Sequence, residues 1–263
     1  MKILNKVALV TGGAEGIGKA LCQRLLEHGT KLVAILDINA DWETTATDFL
    51  KSLAVTKFDL FIVTCQTKLN YASVVFNLKI LGTCESFQEA FDVHGQLDIV
   101  VNNAGLIAKD NRKTIEILLL AVINGCLIAE ELMTKEPRPE KGIIVNTSSI
   151  AGMVVQDTNI LNSSYFAAKH GVVAFTKSLP ASADNFSKDL RVVAICPGLV
   201  LTNIFKKQDV VDDNVMTKEL DDIKEHVTNV SVVVDAFILA IEDESLHGDI
   251  ITAFGSEGIK VVT

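Results

Sequence analysis

A chain of 263 residues, 49% of them hydrophobic, has enough material for one large α/β core. Its formal charge of -9 disfavours nucleic acid and anionic membrane surfaces as partners, because both demand a basic face. The five cysteines (Cys22, Cys65, Cys84, Cys126 and Cys196) are scattered and form no CxxC pair, which argues against a disulfide framework and a zinc site and in favour of buried free thiols.

The segment ahead of Gly12 contains Lys6 and no apolar run long enough for a secretory signal, so a cytoplasmic location is expected. Residues 6–11 (KVALVT) read as a buried parallel strand entering a tight turn. Helical spacing of Ile17, Ala20, Leu21 and Leu25 follows over 16–28, and Gly29 stands where a C-terminal cap belongs. Residues 31–36 form a second apolar strand with Asp37 at its tip. Helix and strand patterns then alternate over 41–53, 58–64, 85–93, 97–102, a long helix from Ile115, 142–147, 164–183 and 190–196. This alternation predicts a single-domain Rossmann-like fold over 1–263, a doubly wound parallel sheet in three α/β/α layers with right-handed crossovers. Residues 115–133 are strongly apolar, but Glu116, Asn124, Glu130 and Glu131 interrupt them, so a helix buried on several sides, a subunit interface being one such setting, fits better than a membrane span.

The run Thr11-Gly12-Gly13-Ala14-Glu15-Gly16-Ile17-Gly18 sits between a strand and a helix. Small residues there let the backbone approach a pyrophosphate, and the helix start offers unpaired N–H groups at the positive end of its dipole. Gly12, Gly16, Ile17 and Gly18 are therefore candidate cofactor-binding residues, with a merely tight structural turn as the alternative. Asp37 follows at about the interval, roughly 20 residues, expected of the acidic residue that accepts the ribose hydroxyls. Its carboxylate would repel a 2′-phosphate, which favours NAD over NADP; a solvated strand-end aspartate is the alternative. Tyr165 and Lys169 lie four apart on a predicted helix, on one face, where an ammonium would favour tyrosinate. Ser148 and Ser149 follow the strand 142–147, at the strand end that faces the ligand crevice. The histidines (His28, His94, His170, His226 and His247) share no ligand spacing and read as surface or capping residues, so no metal is expected.

Together, TGGAEGIG, Asn102-Asn103-Ala104-Gly105, Asn146-Thr147-Ser148-Ser149, YFAAK and Pro197-Gly198 resemble the short-chain dehydrogenase/reductase family over nearly the whole chain. SSIAG, AAKHGVVAFTKS and AICPGLVLT are most similar to its branch of 15-hydroxyprostaglandin dehydrogenases, insect alcohol dehydrogenases and fat-body proteins. The resemblance implies that Tyr165 removes the alcohol proton as hydride passes to NAD, that Lys169 lowers the tyrosine pKa and binds the nicotinamide ribose, and that Ser149 hydrogen-bonds the substrate oxygen. It implies that Asn103, Ala104 and Gly105 line the adenosine side, that Pro197, Gly198, Val200 and Thr202 meet the nicotinamide end, and that the protein is a homodimer or homotetramer.

Three departures stand out. Leu118 occupies the place where relatives carry a relay asparagine. An insert at 66–84 follows Cys65-Gln66-Thr67, where the family's adenine-contacting aspartate is missing; it is an extra element, a partner surface or retained non-coding sequence. Ser149 and Tyr165 are three residues further apart than in relatives, with Asn162 as either a polar contact to substrate or a loop cap. The leading expectation is an NAD-dependent dehydrogenase for a hydrophobic secondary alcohol or ketone, of lipid, terpenoid or small aliphatic type, covered by 199–205 and 206–226. Its rival, motivated by Leu118 and the insert, is a catalytically weak Rossmann-fold NAD-binding or storage protein.

Overall fold

The computed structural model describes residues 1–38, 59–64, 87–88, 91–92, 95–155, 161–181, 186–205 and 227–262. The strands are β1 (Val7–Thr11), β2 (Leu32–Asp37), β3 (Asp59–Thr64), β4 (Ile99–Asn102), β5 (Gly142–Thr147), β6 (Leu190–Pro197), β7 (Ile250–Phe254) and β8 (Gly258–Val262). They form one sheet in the order β3-β2-β1-β4-β5-β6-β7-β8. β5 and β6 are buried along their whole length, and their apolar runs follow from that, since a parallel sheet covered on both faces has no polar side. The order reverses between β1, which pairs with β2 on one side, and β4 on the other. A crevice opens at the carboxyl ends of the strands at such a reversal, and the site residues gather there.

The helices are α1 (Gly16–Glu27), α2 (Asn111–Ile115), α3 (Ala121–Met133), α4 (Ser163–Ser178) and α5 (Val230–Glu242). α1 and α5 pack on one face of the sheet, with Leu21, Leu25, Phe237 and Ile241 in one core cluster; Cys126, Ala129 and Leu132 of α3 lie in the cluster on the other face. Gly29 adopts φ 81 after α1, the left-handed conformation expected of a helix-terminating glycine.

The C-terminal strand departs from the parallel sheet. Helix α5 and strands β7 and β8 were not in the predicted element list, and β8 runs antiparallel to β7, with Phe254 opposite Gly258. The hairpin is made possible by Gly255 and Gly258, both at positive φ (39 and 70), so the chain reverses within a few residues instead of crossing over through a helix. The end of α5 is held by the buried guanidinium of Arg191, which donates to the carbonyls of Ala240 (3.2 Å), Ile241 (2.8 Å), Asp243 (2.8 Å) and Leu246 (3.1 Å). Those acceptors include carbonyls that a helix end leaves without a partner. Cys22, Cys126 and Cys196 are buried free thiols as expected. The predicted helix 41–53, the insert 66–84 with Cys84, Cys65 and the stretch 206–226 lie outside the described residues. No described helix is long and apolar enough to cross a membrane.

Candidate active site

The glycine turn after β1 is built by close approach. A Cβ on Gly12, which has φ +64, would stand 2.8 Å from the Cα of Ala104, and one on Gly18 would stand 2.2 Å from the Gly12 carbonyl oxygen. Any side chain at either place would push the turn away from α1 or from the loop after β4. The side chain of Glu15, at the cap position of α1, makes no capping hydrogen bond, and no acidic residue lies in the first turn, so the helix start keeps its positive character. Asp37 reaches across from the tip of β2, its Oδ2 accepting the Ala14 N–H at 3.0 Å. Strand and turn therefore hold the carboxylate beside the glycines. Ile17 is half-buried on α1, packed against the core.

Thr11, which the sequence reading passed over, joins the turn to β4. Its hydroxyl oxygen accepts the N–H groups of Asn103 (2.9 Å) and Ala104 (3.0 Å), and Asn103 Nδ2 donates back to the carbonyls of Thr11 (3.1 Å) and Gly12 (3.2 Å). Asn103 is thus a structural tie, and Ala104 and Gly105 beside it are exposed. The signal for Thr11 was its place as the last strand residue before Gly12. From the far side, the segment after Pro197-Gly198 folds back over this turn. Thr202 lies 3.2 Å from where a Gly16 Cβ would be, Asn203 Nδ2 meets Glu15 Oε2 at 3.4 Å, and Val200 is buried.

Ser149, Tyr165 and Lys169 come together beside the ends of β5 and β6. Ser149 caps a 3₁₀ turn (Ile150–Gly152), its hydroxyl oxygen accepting the Ala151 N–H at 3.2 Å. Lys169 is buried on α4 with its Nζ donating to the Thr147 carbonyl at 2.9 Å and lying 5.8 Å from the Tyr165 ring centre. Burial lowers the lysine from 10.5 to about 8. Burial pushes the phenol up, and the group that draws it back is Ser149.

Ser148 donates to the Lys169 carbonyl at 2.9 Å, and burial pushes the Cys196 thiol up to about 11. A Cβ on Gly152 would stand 2.6 Å from both Ser148 Oγ and the Lys169 carbonyl oxygen. This tight junction fixes the register of α4 against β5, and Ser148 is the tie that makes it. Below it, Asn102 donates to Asn146 (2.9 Å), which donates to Thr176 (3.0 Å), a buried polar chain linking β4, β5 and α4. Leu118 sits in one turn of π-helix (Glu116–Leu120) between α2 and α3, fully buried, with its Cδ2 3.4 Å from the place of a Gly105 Cβ. Such a turn widens the helix locally and rotates a side chain inward, and here it delivers an apolar one. Asn162, an open choice from sequence, caps α4 by accepting the Tyr165 N–H at 2.9 Å. No group of three or more acidic, histidine or cysteine residues suited to a metal ion occurs among the described residues.

The chain belongs to the short chain dehydrogenase family, whose model matches residues 6–213. It is 34% identical to the 15-hydroxyprostaglandin dehydrogenases of mouse (Mus musculus; 98% of this chain, 93% of that protein) and human (Homo sapiens; 98% and 94%), both named as NAD(+) enzymes. Among solved structures, levodione reductase superposes with a TM-score of 0.78 at 21% identity, over 97% of this chain and 98% of that one. A short chain dehydrogenase/reductase from Burkholderia phymatum in complex with NAD has a TM-score of 0.73 at 19% identity, over 94% and 89%. Both structures bear on the fold.

The lowered lysine carries a stability signature. Between about 8 and 10.5 the unfolded chain holds a proton on Lys169 that the folded chain has released, so this residue's contribution to stability rises with pH across that window. Urea unfolding of wild type and Lys169→Met should give a stability difference that shifts in favour of wild type as pH rises through the window, by an amount on the order of 3 kcal/mol or less. A difference that stays flat would place the ammonium in solvent.

Proposed function

We propose that this protein, as a single dinucleotide-binding domain over 1–263, is an NAD-dependent dehydrogenase that interconverts a hydrophobic secondary alcohol and its ketone. The reading rests on one observation above all: Ser149, Tyr165 and Lys169 gather at the carboxyl end of the sheet, on elements whose register Ser148 locks. The names of the mouse and human relatives support NAD as cofactor.

The residues fit that cofactor. The turn with Gly12, Gly16, Ile17 and Gly18, at the uncapped start of α1, would hold a pyrophosphate, and Asp37 beside it would accept the ribose hydroxyls. Asn103, Ala104 and Gly105 would line the adenosine side, Tyr165 and Lys169 would meet the nicotinamide ribose, and Pro197, Gly198, Val200 and Thr202 would close over the nicotinamide end. NAD, when bound, supplies the hydride acceptor. Within the chain, the Ser149 hydroxyl donates to the substrate oxygen and holds the phenol; Tyr165 takes the alcohol proton; Lys169, kept in place by the Thr147 carbonyl, favours tyrosinate while it is charged. Ionisation of the phenol precedes proton abstraction, so alcohol oxidation gains rate as pH rises towards the phenol's raised pKa.

An apolar substrate suits the exposed Val154 and Val155 after the Ser149 turn and the exposed Leu201 after Gly198. A homodimer or homotetramer suits the exposed Leu120 and Leu127 at the outer surface of the α3 region. The second reading, a weak NAD-binding or storage protein, is favoured by one feature, the buried leucine at 118.

Two variants test the assignment. Tyr165→Phe should fold and bind NAD as wild type does while NADH formation from a secondary alcohol drops at least about a hundredfold, the usual scale for an acid/base group; normal turnover would remove the phenol from the reaction. Asp37→Ala should weaken NAD binding by about 1.5–3 kcal/mol and narrow the preference over NADP, as read by calorimetry. Unchanged affinities for both would take Asp37 out of the site.

A further inference from the structure

The loop between β4 and α2 is fastened at both ends by asparagine carboxamides. At its start Asn103 Nδ2 donates to the Thr11 and Gly12 carbonyls (3.1 and 3.2 Å), pinning the loop to the glycine turn. At its far end Asn162 Nδ2 donates to the Ala108 carbonyl at 2.7 Å, while Asn162 Oδ1 accepts the Tyr165 N–H at 2.9 Å. The same Ala108 carbonyl accepts the Thr114 hydroxyl at 3.4 Å, and the Ser164 hydroxyl donates to Asn111, so the start of α4 is stitched to α2 as well. Between the two ties Ala104 and Gly105 are exposed and Ile107 is buried.

We propose that Asn162 is a positioning residue that couples the tyrosine to the loop: one carboxamide caps the helix carrying Tyr165 and, through its other end, fixes how far the 103–108 loop stands from that helix. The proposal rests on the reading of Ser149, Tyr165 and Lys169 as the reacting set. Capping alone does not call for asparagine, since serine or aspartate would accept the Tyr165 N–H as well. Aspartate has no donor for the Ala108 carbonyl, and a serine hydroxyl is one bond short of it. A carboxamide has both a donor and an acceptor end, and here both go to backbone on different elements. That commitment also disfavours the substrate contact weighed from sequence. Movement of the 103–108 loop would change the spacing between the glycine turn and the phenol, and misplacement on the ångström scale weakens proximity catalysis without touching a reacting group.

Two variants separate the ends of the side chain. Asn162→Ser keeps the cap and loses the tie to Ala108; Asn162→Gln keeps a donor and loses the cap. The expected result for Asn162→Ser is a melting temperature within about 2 °C of wild type, faster amide hydrogen exchange over 104–108, NAD affinity down several-fold, kcat down about tenfold and the alcohol KM within about twofold. Asn162→Gln should lose melting temperature yet retain more of the wild-type NAD affinity than the serine variant. Wild-type exchange, affinity and kcat in Asn162→Ser would overturn the proposal in favour of a simple cap. A change confined to the alcohol KM would overturn it in favour of a substrate contact. Exchange and NAD calorimetry need no turnover, so they decide the coupling even if wild type oxidises no alcohol, an outcome that would count against the dehydrogenase reading alone.

Discussion

Lys169 carries an ammonium into a place nearly closed to solvent, and the surroundings are arranged around that one unfavourable burial. An unpaired buried charge is strongly disfavoured, and its usual responses are a partner or a lowered pKa. Both occur here: Nζ donates to the Thr147 carbonyl at 2.9 Å, and the group is lowered to about 8. For that bond to form, α4 must lie at one height above β5, which is what the hydrogen bond from Ser148 to the Lys169 carbonyl and the lack of room at Gly152 enforce. Tyr165, one helical turn earlier on the same face, is placed by the same constraint and meets Ser149.

The other half of the crevice depends on a smaller joint. Thr11 ends β1 and receives the first two N–H groups beyond β4, while Gly12 lets the two backbones approach to a distance no side chain would allow. The strand reversal opens the crevice, and this joint sets its floor. Asp37 then ties the tip of β2 into the turn, so the glycines, the carboxylate and the loop after β4 form one unit.

Strands β1, β2, β4 and β5 could be read from sequence because they are buried on both faces and appear as apolar runs between turn residues. Residues 142–147 coincide with β5, and α1 ends at Glu27 just before the predicted glycine cap. The segment after β6 could not be read in the same way. The helix Val230–Glu242 buries Val233, Val234, Phe237 and Ile241 at helical spacing, a pattern the sequence offered but the reading stopped short of, and the antiparallel β8 depends on two positive-φ glycines, a backbone property that periodicity does not report. In the site, the glycine turn, Asp37 and the Ser/Tyr/Lys set were found from spacing and family resemblance. Thr11, Ser148 and the amide nitrogen of Asn162 act through partners far off in sequence, so spacing gave no access to those pairings, whereas the cap on Tyr165, three residues on, was open from sequence.

Leu118 remains the point on which the account turns, because a fully buried apolar side chain on a π-turn faces the loop beside the glycine turn, where the family resemblance implies a polar relay. If the proton instead leaves Tyr165 through the crevice, leucine slows the reaction without stopping it. The most direct measurement is NADH absorbance for wild type and Leu118→Asn with NAD and a panel of hydrophobic secondary alcohols, alongside NAD affinity by calorimetry. The account predicts NADH from wild type, faster formation by Leu118→Asn, and equal NAD affinity for the two. NAD binding with no NADH from either protein would contradict it and leave a binding protein in place of an enzyme.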